Sequence, residues 1–147
     1  MIVVDTTILV YAVGGDHPLA DPCRSLLAEV ASASVRATTT VEVIQGFAHV
    51  RARRRGREDA ARLARSYRQL LHPLVAVSED DLEAGLDRFA SDERLGAFDA
   101  VLAARALRLG AAVASADRAF AGIDGLTHLD PADADFTSAV RAVGSSR

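Results

Sequence analysis

At 147 residues, half of them hydrophobic and a quarter charged, the chain has the size and composition of one ordinary globular domain with room for a sizeable core. A net charge of −3 argues against a general binder of polyanions, no run nears the roughly 18 apolar residues of a membrane span, and the N-terminus lacks the basic start and cleavage site of a signal peptide. The expectation is a soluble cytoplasmic protein, in which the single cysteine, Cys23, lacking a disulfide or C-x-x-C partner, is a small buried hydrophobe.

In chain order, Ile2 to Val4 reads as a buried strand and Thr6 to Val13 as a short helix stopped by Gly14-Gly15. Leu19, Leu26, Leu27 and Val30 fall at helical spacing and predict a helix over Pro18 to Val30. Val35 to Thr38 is a second short strand, followed by helices from about Thr40 to Arg54 and, after Gly56, to Leu71. Leu74 to Val77 reads as a third strand. Ser78 then caps a helix with Glu79, Asp80 and Asp81 in its first turn, as a capping box and the helix dipole both favour. Ala97 to Leu109 is the clearest helix, ended by Gly110, and Val113 to Ser115 and Leu126 to Leu129 complete the strands. Strands alternating with helices predict an α/β fold, a mostly parallel central sheet of four or five short strands with helices on both faces. Residues 1–130 are expected to form the domain, and residues 131–147 a polar, small-residue tail that is partly disordered.

In a parallel sheet the strand C-termini share one edge, and ligand sites form in the crevice outside it. Asp5 directly follows the first strand. Glu42 lies in the first turn of the helix after the second strand, and Asp117 follows the strand that ends in Ser115. Asp99 opens a helix that leads through Gly110 into that same strand, so the helix runs antiparallel to it and begins at its C-terminal edge. Each acid has a structural reading: a helix cap at Asp5, a capping box in Thr39-Thr40-Val41-Glu42, a dipole partner at Asp99 and a turn at Asp117. Capping does not require every capped start to gather at one edge, however, and close carboxylates repel unless a cation neutralises them. The cluster therefore implies a metal, and oxygen-only ligands suit magnesium or manganese rather than zinc.

The run Val3-Val4-Asp5-Thr6-Thr7, Glu42 after the second strand, Phe98-Asp99-Ala100-Val101-Leu102 and Ser115-Ala116-Asp117-Arg118 together resemble the PIN domain. More narrowly, they are similar to the small ribonuclease toxins of VapBC toxin–antitoxin modules. The resemblance covers residues 1 to about 130. It implies a three-layer PIN-like sandwich and a Mg2+-dependent endoribonuclease, with Mn2+ as substitute, in which Asp5, Glu42, Asp99 and Asp117 are the catalytic and metal-binding acids. Thr6 and Ser115 match hydroxyl positions beside the acids and would orient them or touch substrate. The implied partners are an RNA substrate, expected to be structured tRNA or rRNA, a cognate antitoxin that inhibits the site, and a second copy of the chain in a homodimer. A metal-activated water then needs no histidine base.

All 17 basic residues are arginine, and eight of them between Arg51 and Arg68 face only Glu58 and Asp59, a local excess of six positive charges. Arg51, Arg53, Arg54, Arg55 and Arg57 are therefore expected to contact RNA or antitoxin. His17, His49, His72 and His128 show no metal-ligand spacing. Phe47, Tyr67, Phe98 and Phe120 are expected in the core or a dimer contact, since nothing resembles an RNA-stacking platform. A phosphoacceptor receiver or a haloacid-dehalogenase-type phosphatase would also gather acids at strand ends, but those families rely on a lysine, and this chain has none. P-loop, dinucleotide and G-x-S-x-G motifs are absent. The alternative that stands is a PIN-like, catalytically silent module binding RNA or protein.

Overall fold

The computed structural model describes residues 1–145. Its centre is β1 (Ile2–Val4), three fully buried aliphatic residues that a strand buried on both faces requires. The first helix, α1 (Thr6–Ala12), follows at once, and α2 (Ala20–Ala31) leads to β2 (Ala37–Thr38). Two helical hairpins come next: α3 (Val41–Arg55) with α4 (Arg57–Leu70), and α5 (Glu79–Ser91) with α6 (Ala97–Leu109). The chain then forms β3 (Ala112–Ala114), a 3-10 turn over Arg118–Gly122, β4 (His128–Leu129) and α7 (Phe136–Gly144).

The four strands make one parallel sheet in the order β2-β1-β3-β4, with Val4 level with Ala114 and Ala114 level with Leu129. Helices cover both faces, so the α/β sandwich expected from the sequence is the fold observed. Because every strand is parallel, the residues that leave β1, β2 and β3 emerge along one edge. Phe47, Tyr67 and Phe120 are buried as expected, with the ring of Phe47 edge-on to that of Tyr67; Cys23 is also buried.

Two expectations are corrected. Leu74 to Val77 is not a strand: only Val75 makes a single parallel bridge, to Thr40, its N–H donating to Thr39 O at 2.9 Å. Leu74, Val75 and Val77 are half-buried, so no apolar face draws the segment further into the sheet. The tail is not disordered over Phe136–Gly144, where α7 buries Phe136 and Val140 against α2, β1 and β4. Phe136 and Val140 are four apart, on one helical face, and Arg141 pairs with Glu29 of α2.

The hairpin of α5 and α6 fixes where α6 begins. Asp81 is buried within a capping box, accepting from Ser78 N and Ser78 Oγ at 2.9 Å each, while Arg108 Nε lies 2.8 Å from its Oδ1. Burial pushes the Asp81 carboxyl up, but the Ser78 hydrogen bonds and the charges of Arg105 and Arg108 outweigh it and hold the group below its ordinary value. The two helices touch backbone to backbone at Gly85, where a methyl group would stand 2.6 Å from Val101 Cα. We expect Gly85→Ala to lower stability by about 1–3 kcal/mol, the usual cost of overpacking. That would hold although alanine is the better helix former by ~1 kcal/mol. Urea unfolding checks this, and a neutral or stabilising result would show that α6 is free to back away from α5.

Candidate active site

The carboxylate of Asp5 lies where β1 ends and α1 begins. As the N-cap of α1 it accepts a hydrogen bond from Thr7 N at 3.3 Å, so the structural reading of this aspartate is correct as far as it goes. The same oxygen, Oδ2, also accepts from Thr7 Oγ1 at 2.8 Å and from Ser115 Oγ at 2.8 Å. Both hydroxyls have a second duty: Thr7 Oγ1 accepts from Ala116 N at 2.9 Å, and Ser115 Oγ accepts from Asp117 N at 3.0 Å. The start of α1 is thereby stitched to the loop after β3. Asp5 is 2% exposed, and its other oxygen receives none of the hydrogen bonds among the described residues.

Asp117 caps the 3-10 turn, its Oδ1 accepting from Ala119 N at 2.9 Å, and is exposed. Asp99, in the first turn of α6, completes a group of three. Burial raises the Asp99 carboxyl most, the charges of Asp5 and Asp117 raise it further, and a hydrogen bond with Asp117 adds to both, so that it is pushed up to about 7. Asp99 is thus the member of the trio whose ionisation is disfavoured. None of the ion pairs among the described residues ends on any of the three.

Glu42 is not among the charges that raise Asp99. Thr40, not Thr39, is the N-cap of α3, accepting from Val43 N at 3.2 Å, while buried Thr39 donates to Val4 O at 2.6 Å. Glu42 is therefore free of the expected capping box. It is exposed at the same edge, lining an apolar groove of about 320 Å³ with Val77, Leu82, Leu86, Phe98 and Val101. Among the described residues no three His, Cys, Asp or Glu side chains form a ready metal cage. The donor set nonetheless fits a hard divalent cation: three carboxylates without nitrogen or sulfur ligands, one of them, Asp99, raised by the other two in a way that a bound cation would reverse.

The hydroxyl that grips Asp5 is that of Thr7, while Thr6 Oγ1 lies 3.5 Å from Val43 O on α3 and Thr6 lines the cleft beside Thr7. The signal was present, because an N-cap carboxylate accepts from the residue two positions on. Ser115, fully buried, is where it was expected. His128 is a satisfied partner of the β3 backbone, with Nε2 2.8 Å from Ser115 O.

The arginines divide. Arg51 is only partly exposed and is fixed, with Nε 2.6 Å from Asp59 and Nη1 donating to Val13 O at 3.2 Å, so it is a structural tie between α3, α4 and the end of α1 rather than a free contact. Arg53, Arg54, Arg55 and Arg57 are exposed and enter none of the ion pairs among the described residues.

A sheet with this order and three aspartates at its carboxyl edge agrees with a family comparison, in which the PIN domain matches residues 2–126; the chain belongs to the PIN-domain family. It is also 50% identical over 140 residues to Ribonuclease VapC7 of Mycobacterium tuberculosis (strain ATCC 25618 / H37Rv), a match covering 94% of this chain and 97% of that protein. Identity at this level over nearly the whole of both chains places it with the VapC proteins.

Asp99 gives a test that needs no substrate. Its folded-state pKa near 7 lies above the ordinary carboxyl value, so its charge costs the metal-free fold stability progressively as pH rises from about 4 to 7. Asp99→Asn should leave the melting temperature at pH 4 nearly unchanged and raise it at pH 8 by about 2–4 °C, the shift that ~1 kcal/mol gives in a domain of this size. Thermal melts in EDTA at the two pH values check this. An equal effect at both would mean that the carboxylates do not repel one another.

Proposed function

We propose that this chain is an endoribonuclease dependent on Mg2+ or Mn2+, acting in the cytoplasm as the toxin of a toxin–antitoxin module and held in check by a cognate antitoxin. The observation that carries the reading is the Asp99 carboxyl, raised to about 7 by burial and by Asp5 and Asp117 at the carboxyl edge of the sheet. Three acids that repel one another cost stability, and a bound cation is the physical reason to keep them together. Membership of the PIN-domain family and similarity to a protein named a ribonuclease support the same reading.

When bound, a divalent cation lowers the pKa of a coordinated water and offsets charge on the phosphate and the leaving oxygen. Asp5, Asp99 and Asp117 would hold it, with Glu42 at the rim of the same edge. Thr7 and Ser115 fix Asp5 Oδ2, which leaves Oδ1 as the oxygen free to ligate. Asp99 must give up its proton before it can ligate, so activity is expected to rise between pH 6 and pH 8. A histidine base is not needed. The RNA would be a structured tRNA or rRNA, approached along the exposed arginines of α3 and α4.

Protein partners are part of the proposal. Val41, Leu82, Leu86, Phe89 and Phe98 are the large apolar side chains exposed among the described residues, and most border the groove beside Glu42. Surface of this kind supports coverage by protein, here a second copy of the chain or the antitoxin. No helix among the described residues is long and apolar enough to cross a membrane. Glu42, turned outward, is the feature that favours a catalytically silent binding module instead.

Purified protein free of antitoxin should cleave total RNA into discrete fragments with Mg2+ or Mn2+ and not with EDTA, and Asp5→Asn should abolish cleavage. Thr7→Val should weaken metal affinity by about 10–100-fold, as loss of a group that orients a ligand does, while Thr6→Val should change it little. Cleavage that survives EDTA or Asp5→Asn, or folded protein with no cleavage at all, would refute the proposal.

A further inference from the structure

A second feature adjoins Asp5 through Thr7. Thr7, whose hydroxyl is 2.8 Å from Asp5, is also a wall of an open cleft of about 470 Å³. Its other walls are Thr6, Val10 and Tyr11 of α1, the Gly14–His17 loop, and Val50 and Arg54 of α3. Cleft and carboxylates are thus separated by a single side chain.

The lining has the chemistry of a nucleotide site. Tyr11 and His17 form an aromatic pair with ring centroids 4.6 Å apart and planes tilted by 32°. The imidazole is held in place, because His17 Nδ1 accepts from Leu19 N at 3.1 Å, which puts the proton of the neutral ring on Nε2. His17 is exposed and Tyr11 half-buried, so the pair offers a ring surface to the cleft instead of closing on itself in the core. Arg54, exposed and in none of the ion pairs among the described residues, stands on the facing helix, one turn beyond Val50. Sequence gave no hint of this shelf, since Tyr11 and His17 are six residues apart and meet only because Gly14-Gly15 turns the chain back.

We propose that this cleft is the subsite for the nucleotide adjoining the scissile phosphate: an unpaired base stacks on the Tyr11–His17 shelf, and Arg54 holds its backbone phosphate. The proposal rests on the ribonuclease reading for the identity of the ligand as RNA. It deepens that reading by naming single-stranded RNA at the site of cutting, since only an unstacked base can lie on such a shelf. Asp16 in the same lining disfavours phosphate, so Arg54, the arginine of the cleft, is its phosphate contact. The fixed Nε2–H of His17 is placed to donate to the base or sugar.

The test uses two readouts on the full chain. The first is fluorescence anisotropy of a labelled random-sequence single-stranded decaribonucleotide binding to Asp5→Asn protein in EDTA. The second is KM and kcat of otherwise wild-type protein on an unstructured RNA with Mn2+. Tyr11→Leu, which keeps the apolar bulk, and Arg54→Ala should each weaken binding and raise KM about tenfold, in the range measured for loss of one base stack, with kcat within about threefold. Tyr11→Phe should behave as wild type, and Arg54→Ala should reduce the salt dependence of binding by about one phosphate contact. Wild-type cleavage with unchanged KM and binding in Tyr11→Leu and Arg54→Ala would overturn the subsite, leave the cleft to a protein partner and leave the activity standing. Oligonucleotide binding lost in both variants, from a wild-type protein that does not cleave, would keep the subsite and overturn the activity.

Discussion

The site depends on a single oxygen. Oδ2 of Asp5 accepts from the hydroxyls of Thr7 and Ser115 and from the backbone of Thr7, and those hydroxyls in turn hold the backbone at Ala116 and Asp117. Hydrogen bonds to a charged acceptor are the strong ones, each worth about 1.5–3 kcal/mol, and here they also fix geometry. They tie β1 and β3, neighbours in the sheet, at the edge where both end. With that oxygen occupied, the carboxylate keeps one orientation and leaves its other oxygen without a hydrogen bond among the described residues. Stability and chemistry are divided between two atoms of one side chain.

Asp99 is the opposing element. It is brought in by the α5–α6 hairpin, held by the Asp81 clamp and the close approach at Gly85, and placing it there sets three acids against one another. The scaffold that positions it pairs its own buried charge, Asp81, with Arg105 and Arg108, whereas Asp99 has no cationic partner among the described ion pairs. A fold under no functional demand would lose that carboxylate readily, because nothing among the described hydrogen bonds outside the trio uses it.

Much of this was legible from the sequence where local signals are strong. Strand β1, read from three aliphatic residues before an aspartate, and helix α6, ended by Gly110 with its φ of 61°, follow from short-range rules. Together they give the shared edge of Asp5, Asp99 and Asp117 without any distance. Failures came where tertiary context decides. The segment at residues 74–77 has strand-like composition but too little buried face. Helix α7 has only two buried large residues diluted by alanine and serine, so its docking on α2 and the sheet could not be read locally. The choice between Thr6 and Thr7 turns on which way a helix start faces, and the outward turn of Glu42 on which threonine is the cap. The ring pair of Tyr11 and His17 forms across a loop, beyond the reach of periodicity.

If the aspartates are gathered to hold a divalent cation in place of a proton, the exchange is measurable. Calorimetric titration of Mn2+ into the protein at pH 6, repeated in buffers of different protonation enthalpy, measures binding and proton release together. Saturable binding that displaces up to one proton per cation is expected, with the release lost in Asp99→Asn. Absence of binding, or binding with the same proton release in Asp99→Asn, would contradict it.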